Sequence, residues 1–181
     1  VSRGAVPGAT GTDANAWYWS EGFSGITSDL LLNRVNGVSA DDFNVYKDAN
    51  VVLLHIGTND YHTLTPDQTT ANIVAIINAF FARRPSAGVP LFFFVMGTIN
   101  AGSDSSNNAL NAFVTAVRPK IQTAVSGMAN VYYVNPPIPN IPDGDFLSGS
   151  LGIHPLDAGY ALMVDDGNGH GWKPAMIAAG L

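Results

Sequence analysis

The clearest alternation of apolar and polar positions runs from residue 65 to residue 81. Thr65-Pro66-Asp67-Gln68 opens a helix. Thr65 supplies a capping hydroxyl, Pro66 takes the first helical position, and Gln68 closes a capping box. Ile73, Ile76, Ile77, Phe80 and Phe81 follow at i, i+3, i+4, i+7 and i+8, which is a single apolar stripe. Arg83 and Arg84 fall near the end, where cations suit the helix dipole. Leu110, Phe113, Val114, Val117 and Ile121 form another helical stripe, which Pro119 is expected to kink or divide. Shorter helices are predicted over residues 28–35, over Pro155 to Val164 with Tyr160, Met163 and Val164 on one face, and over residues 172–179.

Three other runs are too short and too continuously apolar for amphipathic helices. They are Val51 to Ile56 (VVLLHI), Leu91 to Met96 (LFFFVM) and Val131 to Val134 (VYYV). Such runs read as strands buried on both faces, as a parallel sheet requires. Strands alternating with helices predict an α/β fold with right-handed crossovers. Residues 1–25, rich in Gly, Ala, Thr and aromatics, read as a long surface loop. Its Trp17, Tyr18 and Trp19 suit a substrate-facing wall or a core plug equally well. No repeat, low-complexity tract or internal linker interrupts the 181 residues, which read as one domain.

Composition narrows the partners. Apolar residues make up 46% of the chain and charged residues only 12%, about half the usual share, so Ser, Thr, Asn and Gly must cover much of the surface. The net charge is −6, with eight Lys and Arg, too few to assemble a phosphate-neutralising patch. A nucleic-acid partner and a polybasic membrane anchor are both disfavoured. No apolar run approaches the ~18 residues of a membrane span. The absence of cysteine excludes disulfides, thiolate catalysis and cysteine-based zinc sites. Low Lys with abundant Ser, Thr, Asn and Gly fits a secreted or extracytoplasmic protein.

Ligands of such sheets bind beyond the carboxyl ends of the strands. Two segments of unusual residues fall there: Gly57-Thr58-Asn59-Asp60 after the first strand, and Gly152-Ile153-His154-Pro155 ahead of a late helix. Taken alone, Asn59-Asp60 also reads as an ordinary turn pair, and His154 as a structural histidine. His55, inside the apolar strand, reads as a hydrogen-bonded core residue, and His62 and His170 as solvated. The four histidines show no metal-ligand spacing, so no metal or other cofactor is expected.

HIGTND at residues 55–60, followed by IHPLDAGYALM from residue 153, resembles the SGNH (GDSL-like) hydrolases. Glu21-Gly22-Phe23-Ser24-Gly25 resembles that family's glycine block. The three blocks stand in the family's order over roughly residues 20–165. The nearest likeness is to the subgroup acting on carbohydrate O-acetyl esters. The resemblance implies a three-layer α/β/α sandwich around a central parallel sheet, flavodoxin-like in topology. It also implies a serine esterase in which His154 is the general base, and the Asn59 side chain and the Gly25 backbone N–H hold the oxyanion. The implied substrate is a small-molecule or polysaccharide ester.

Two positions depart from the family pattern. No Gly-Asp-Ser nucleophile block occurs in the chain, and Leu151 stands where the family carries the aspartate that orients its histidine. Asp143, Asp145 or a backbone carbonyl could take that aspartate's place, and Asp157 is a weaker candidate. The missing block implies that the first strands of the family fold are absent, with Val1 lying just after the second, and that the domain is N-terminally incomplete. An alternative function is a catalytically impaired, carbohydrate-binding relative. A third is an interaction module that keeps the fold alone. Oligomeric state is not legible.

Overall fold

Residues 2–5, 17–20, 25–37, 49–83, 90–137 and 141–181 are described from a computed structural model. Five strands and five helices of seven residues or more occur among them: β1 (Ser2–Ala5), β2 (Trp17–Ser20), α1 (Ser28–Gly37), β3 (Val51–Leu54), α2 (Pro66–Arg83), β4 (Phe92–Met96), α3 (Asn108–Val125), β5 (Val131–Val134), α4 (Asp157–Val164) and α5 (Trp172–Ala178). Strands β3, β4 and β5 form a parallel sheet in that order, with Val52 beside Phe93 and Phe93 beside Val131. β1 and β2 pair antiparallel, so part of the region read as loop is a two-stranded ribbon. The side chains of Trp17, Tyr18 and Trp19 lie outside the described residues.

Alternation along β4 divides the core into two layers. Phe93 and Val95 point to one face, where they meet Ile73 and Ile77 of α2 and Val117, Ile121 and Val125 of α3. Phe94 and Met96 point to the other, against Met163 of α4, Phe146, and Trp172 and Met176 of α5. Helices therefore cover both faces of the sheet, giving the α/β/α arrangement. α1 packs outside α2, with Val35 against Ile76.

The capping box forms as the sequence predicts. The Thr65 N–H donates to Gln68 Oε1 at 2.8 Å, and the Gln68 N–H donates to Thr65 Oγ1 at 3.2 Å. Thr65→Ala is expected to cost about 1 kcal/mol, read as a lower urea midpoint at unchanged slope.

Two expectations are corrected. Pro119 does not divide its helix, since α3 continues from Asn108 to Val125. Pro119 and Thr115 are both exposed, so water can satisfy the Thr115 carbonyl that loses its helical donor. VVLLHI is not buried on both faces either. Leu53 is 48% exposed and His55 is exposed, because β3 pairs with β4 on one side and with no other strand among the described residues. Among the described residues no helix is long and apolar enough to cross a membrane.

Candidate active site

Gly57 turns the chain out of β3. Its φ of 111° lies in the left-handed region, and a Cβ there would stand 3.1 Å from Thr69 Cγ2 and 3.4 Å from Thr98 Cγ2. Glycine meets both demands. The chain then enters a 3-10 turn, Thr58–His62.

This turn is tied to the start of α1. The Asn59 side-chain amide donates to the Ile26 carbonyl at 3.1 Å, one residue beyond Gly25. Gly25 has a φ of 70°, and nothing lies within 4 Å of where its Cβ would be, so its backbone stands in the open. An amide nitrogen carries two N–H donors. Asn59 spends one on Ile26, and its other has no acceptor among the described residues.

Asp60 makes the tie rigid. Its carboxylate is fully buried and accepts the Ser28 N–H at 2.8 Å, the Ser28 hydroxyl at 2.5 Å and the Thr69 hydroxyl at 2.7 Å. Asn72 donates to Ser28 Oγ at 3.0 Å. The carboxylate thus caps α1 from another part of the chain and fixes α2 to the same point. The Gly25 backbone and the Asn59 amide are brought together as a consequence.

His154 is placed by a second set of bonds. The Leu147 N–H donates to the His154 carbonyl at 3.0 Å, Phe146 bridges Pro155, and the Leu156 N–H donates to Asp145 O at 2.7 Å. The segment before it is held to the loop after β4: Gly102 N–H to Gly152 O at 2.8 Å, Asp104 N–H to Ser150 O at 2.9 Å, and Asn107 Nδ2 to Ser150 O at 3.0 Å. A Cβ on Gly102 would stand 2.4 Å from Ser150 O and 2.6 Å from Gly149 O. Gly102→Ala is expected to cost about 1–3 kcal/mol by thermal unfolding, and to displace the segment that carries His154.

The strands of the sheet are parallel, so their carboxyl ends share one rim. Asn59 follows the end of β3, and the His154 segment is bonded to the loop that follows β4, the neighbouring strand. Thr98 of that loop packs its methyl group beside Gly57. No hydrogen bond joins His154 to Asn59 or Gly25 among the described residues.

The His154 side chain is exposed, and its ring has no hydrogen-bond partner among the described residues. Asp143 makes no hydrogen bond to it among the described residues. Its carboxylate accepts the Ser103 N–H at 2.8 Å and the Ser103 hydroxyl at 2.5 Å, and these bonds, the hydroxyl's first, lower its pKa. Asp145 contributes its backbone carbonyl to Leu156. Leu151 is 58% exposed. Among the described residues no group of three or more His, Asp or Glu converges to hold a metal.

The sequence reading missed one His–carboxylate pair. His170 is not simply solvated: its Nδ1 lies 2.7 Å from Asp166 Oδ2. The signal was present, since an Asp four residues ahead of a His in DGNGH is a turn-forming pattern.

The chain matches the GDSL-like Lipase/Acylhydrolase family over residues 5–162 and belongs to it, which makes it an ester hydrolase by family. Two solved structures share the fold. One is a GDSL-like lipase from Bacteroides thetaiotaomicron VPI-5482, 18% identical with a TM-score of 0.57, covering 77% of this chain and 68% of that one. The second, a protein assigned as an acylhydrolase from Bacteroides fragilis NCTC 9343, is 20% identical with a TM-score of 0.53, covering 77% of this chain and 66% of its own. The chain thus spans about two thirds of the length of each. No curated protein sequence matches it.

Proposed function

We propose that this chain forms most of an extracytoplasmic serine esterase of SGNH type that hydrolyses acyl esters, with O-acetyl groups on carbohydrate as its substrate class. His154 takes the proton from a serine, which attacks the ester carbonyl. The Asn59 amide and the Gly25 N–H hold the resulting oxyanion, and water then releases the acyl group. No Gly-Asp-Ser occurs in the chain to supply that serine, and among the described residues β3 pairs with β4 alone.

One observation carries the reading. The Asn59 amide is bonded at Ile26, beside an open Gly25 backbone, on the rim where parallel strands end. Fixed donors aimed at a developing negative charge are often the largest single term in acyl transfer.

Asn59→Ala in the full-length protein is expected to lower kcat for p-nitrophenyl acetate by about 10²–10³-fold, with KM little changed. Unchanged kcat would remove Asn59 from the mechanism. A fluorophosphonate label, located by mass spectrometry, should mark the nucleophilic serine. No labelled serine would overturn the serine-esterase reading.

Leu151 supports a second reading. A leucine cannot orient an imidazole or stabilise its cation, so the domain would bind carbohydrate without turning it over. Saturable binding of an acetylated oligosaccharide with no acetate released would select this reading, and acetate release would reject it.

A further inference from the structure

Leu147 is 67% exposed, more than any other large apolar side chain among the described residues, and it packs into none of the core's described apolar clusters. Its position is set by a short antiparallel bridge. Phe146 stands opposite Pro155, the Leu147 N–H donates to the His154 carbonyl at 3.0 Å, and the Leu156 N–H donates to the Asp145 carbonyl at 2.7 Å. That register puts Leu147 directly across from His154.

Residues opposite one another in an antiparallel pair project to the same face, and successive residues project to opposite faces. Phe146 turns inward and is buried with Phe94 and Met96. Leu147 and His154 both turn outward and are exposed. Opposed Cβ atoms stand about 4.5–5.5 Å apart, so the leucine and the imidazole emerge as neighbours on one surface.

The backbone beneath them is fixed. The Phe146 N–H donates to the Asp143 carbonyl at 3.1 Å, and the Gly149 N–H donates to the Phe146 carbonyl at 3.2 Å. A Cβ on Gly152 would stand 2.5 Å from Phe146 Cβ, so the two sides of the bridge are in close contact. A lone exposed leucine is ordinary on a protein surface. This one is distinguished by its neighbour, a histidine whose ring has no described partner. Leu151 and Ile153 are exposed in the same segment.

A general base in acyl transfer works twice. It takes the serine proton as the bond from the serine oxygen to the acyl carbon forms. It then gives that proton to the alcohol oxygen as the bond from that oxygen to the acyl carbon breaks. The alcohol oxygen must therefore come within about 2.6–3.2 Å of the imidazole. The part of the ester that passes beside the imidazole is the alcohol, and the side chain waiting there is Leu147.

The geometry points to Leu147 as the residue that receives the alcohol part of the ester, selecting alcohols that present an aliphatic or ring C–H face next to the oxygen. The inference deepens the esterase reading and rests on His154 as its base. A sugar ring meets the requirement through its C–H face, and so does a cycloalkanol.

The test compares three esters in the full-length protein, with acid release followed at constant pH. Cyclohexyl acetate carries a ring on the alcohol side, methyl cyclohexanecarboxylate carries it on the acyl side, and methyl acetate carries none. Leu147→Ser should lower the kcat/KM of cyclohexyl acetate relative to methyl acetate by about tenfold. The ratio of methyl cyclohexanecarboxylate to methyl acetate should stay where it is. Leu147→Met, which keeps an apolar side chain of similar volume, should restore most of the first ratio. Turnover by the unaltered protein with neither ratio moved by Leu147→Ser, or with only the acyl-side ratio moved, would overturn the assignment of Leu147 and leave the esterase reading standing. No turnover of any of the three esters by the unaltered protein would overturn both.

Discussion

His154→Ala in the full-length protein is expected to lower kcat for p-nitrophenyl acetate by roughly 10³–10⁴-fold, with the unfolding midpoint almost unmoved. A serine hydroxyl is a poor nucleophile until a base takes its proton, and imidazole is the side chain that most often does so. The stability half follows from the structure. The His154 side chain is exposed, and its backbone carbonyl, which an alanine would keep, accepts the Leu147 N–H. Surface replacements of this kind stay within about 0.5 kcal/mol. Full activity in a folded variant would show that another group is the base. Because no carboxylate bonds the His154 ring among the described residues, the expected machinery is a serine–histidine dyad.

Asp60→Ala should have the largest effect on stability, a loss of about 3–5 kcal/mol, since each buried donor left behind costs about 1–3 kcal/mol. The substitution removes the acceptor of the Ser28 N–H, the Ser28 hydroxyl and the Thr69 hydroxyl in a fully buried place. Unpaired buried donors carry their full desolvation cost. At about 2–4 °C per kcal/mol for a domain of this size, the melting temperature should fall by ~10 °C. Differential scanning calorimetry checks it, and a fall of under ~2 °C would show that the carboxylate holds little. Activity should fall too, because Gly25 and Asn59 are placed through the same tie.

The helices were legible in the sequence because their signals are local. The Thr65–Gln68 box and the Ile73, Ile76 and Ile77 stripe involve residues a turn or two apart, and all of them sit as read. Pro119 was misjudged as a helix breaker, although its position off the Val114, Val117 and Ile121 stripe already placed it toward water. The burial of β3 could not be read, since it depends on which strands lie alongside, and VVLLHI carries no record of its neighbours. His55 was misplaced for that reason. The candidate site divides in the same way. Asn59 and His154 are singled out by motif blocks, whereas the work of Asp60 rests on Ser28, 32 residues away. Asp143 looked free in sequence because Ser103, 40 residues earlier, gives no local sign of claiming it.

The carboxylate cap on α1 also bears on how this region opens. An amide in the first turn of a helix has no intrahelical acceptor and ordinarily exchanges with solvent as the end frays. The Ser28 amide is instead held by a buried oxygen from beyond β3. Its deuterium uptake therefore requires α1 to part from the turn at residues 58–62, so it should track the slowest-opening core amides rather than those of the helix ends.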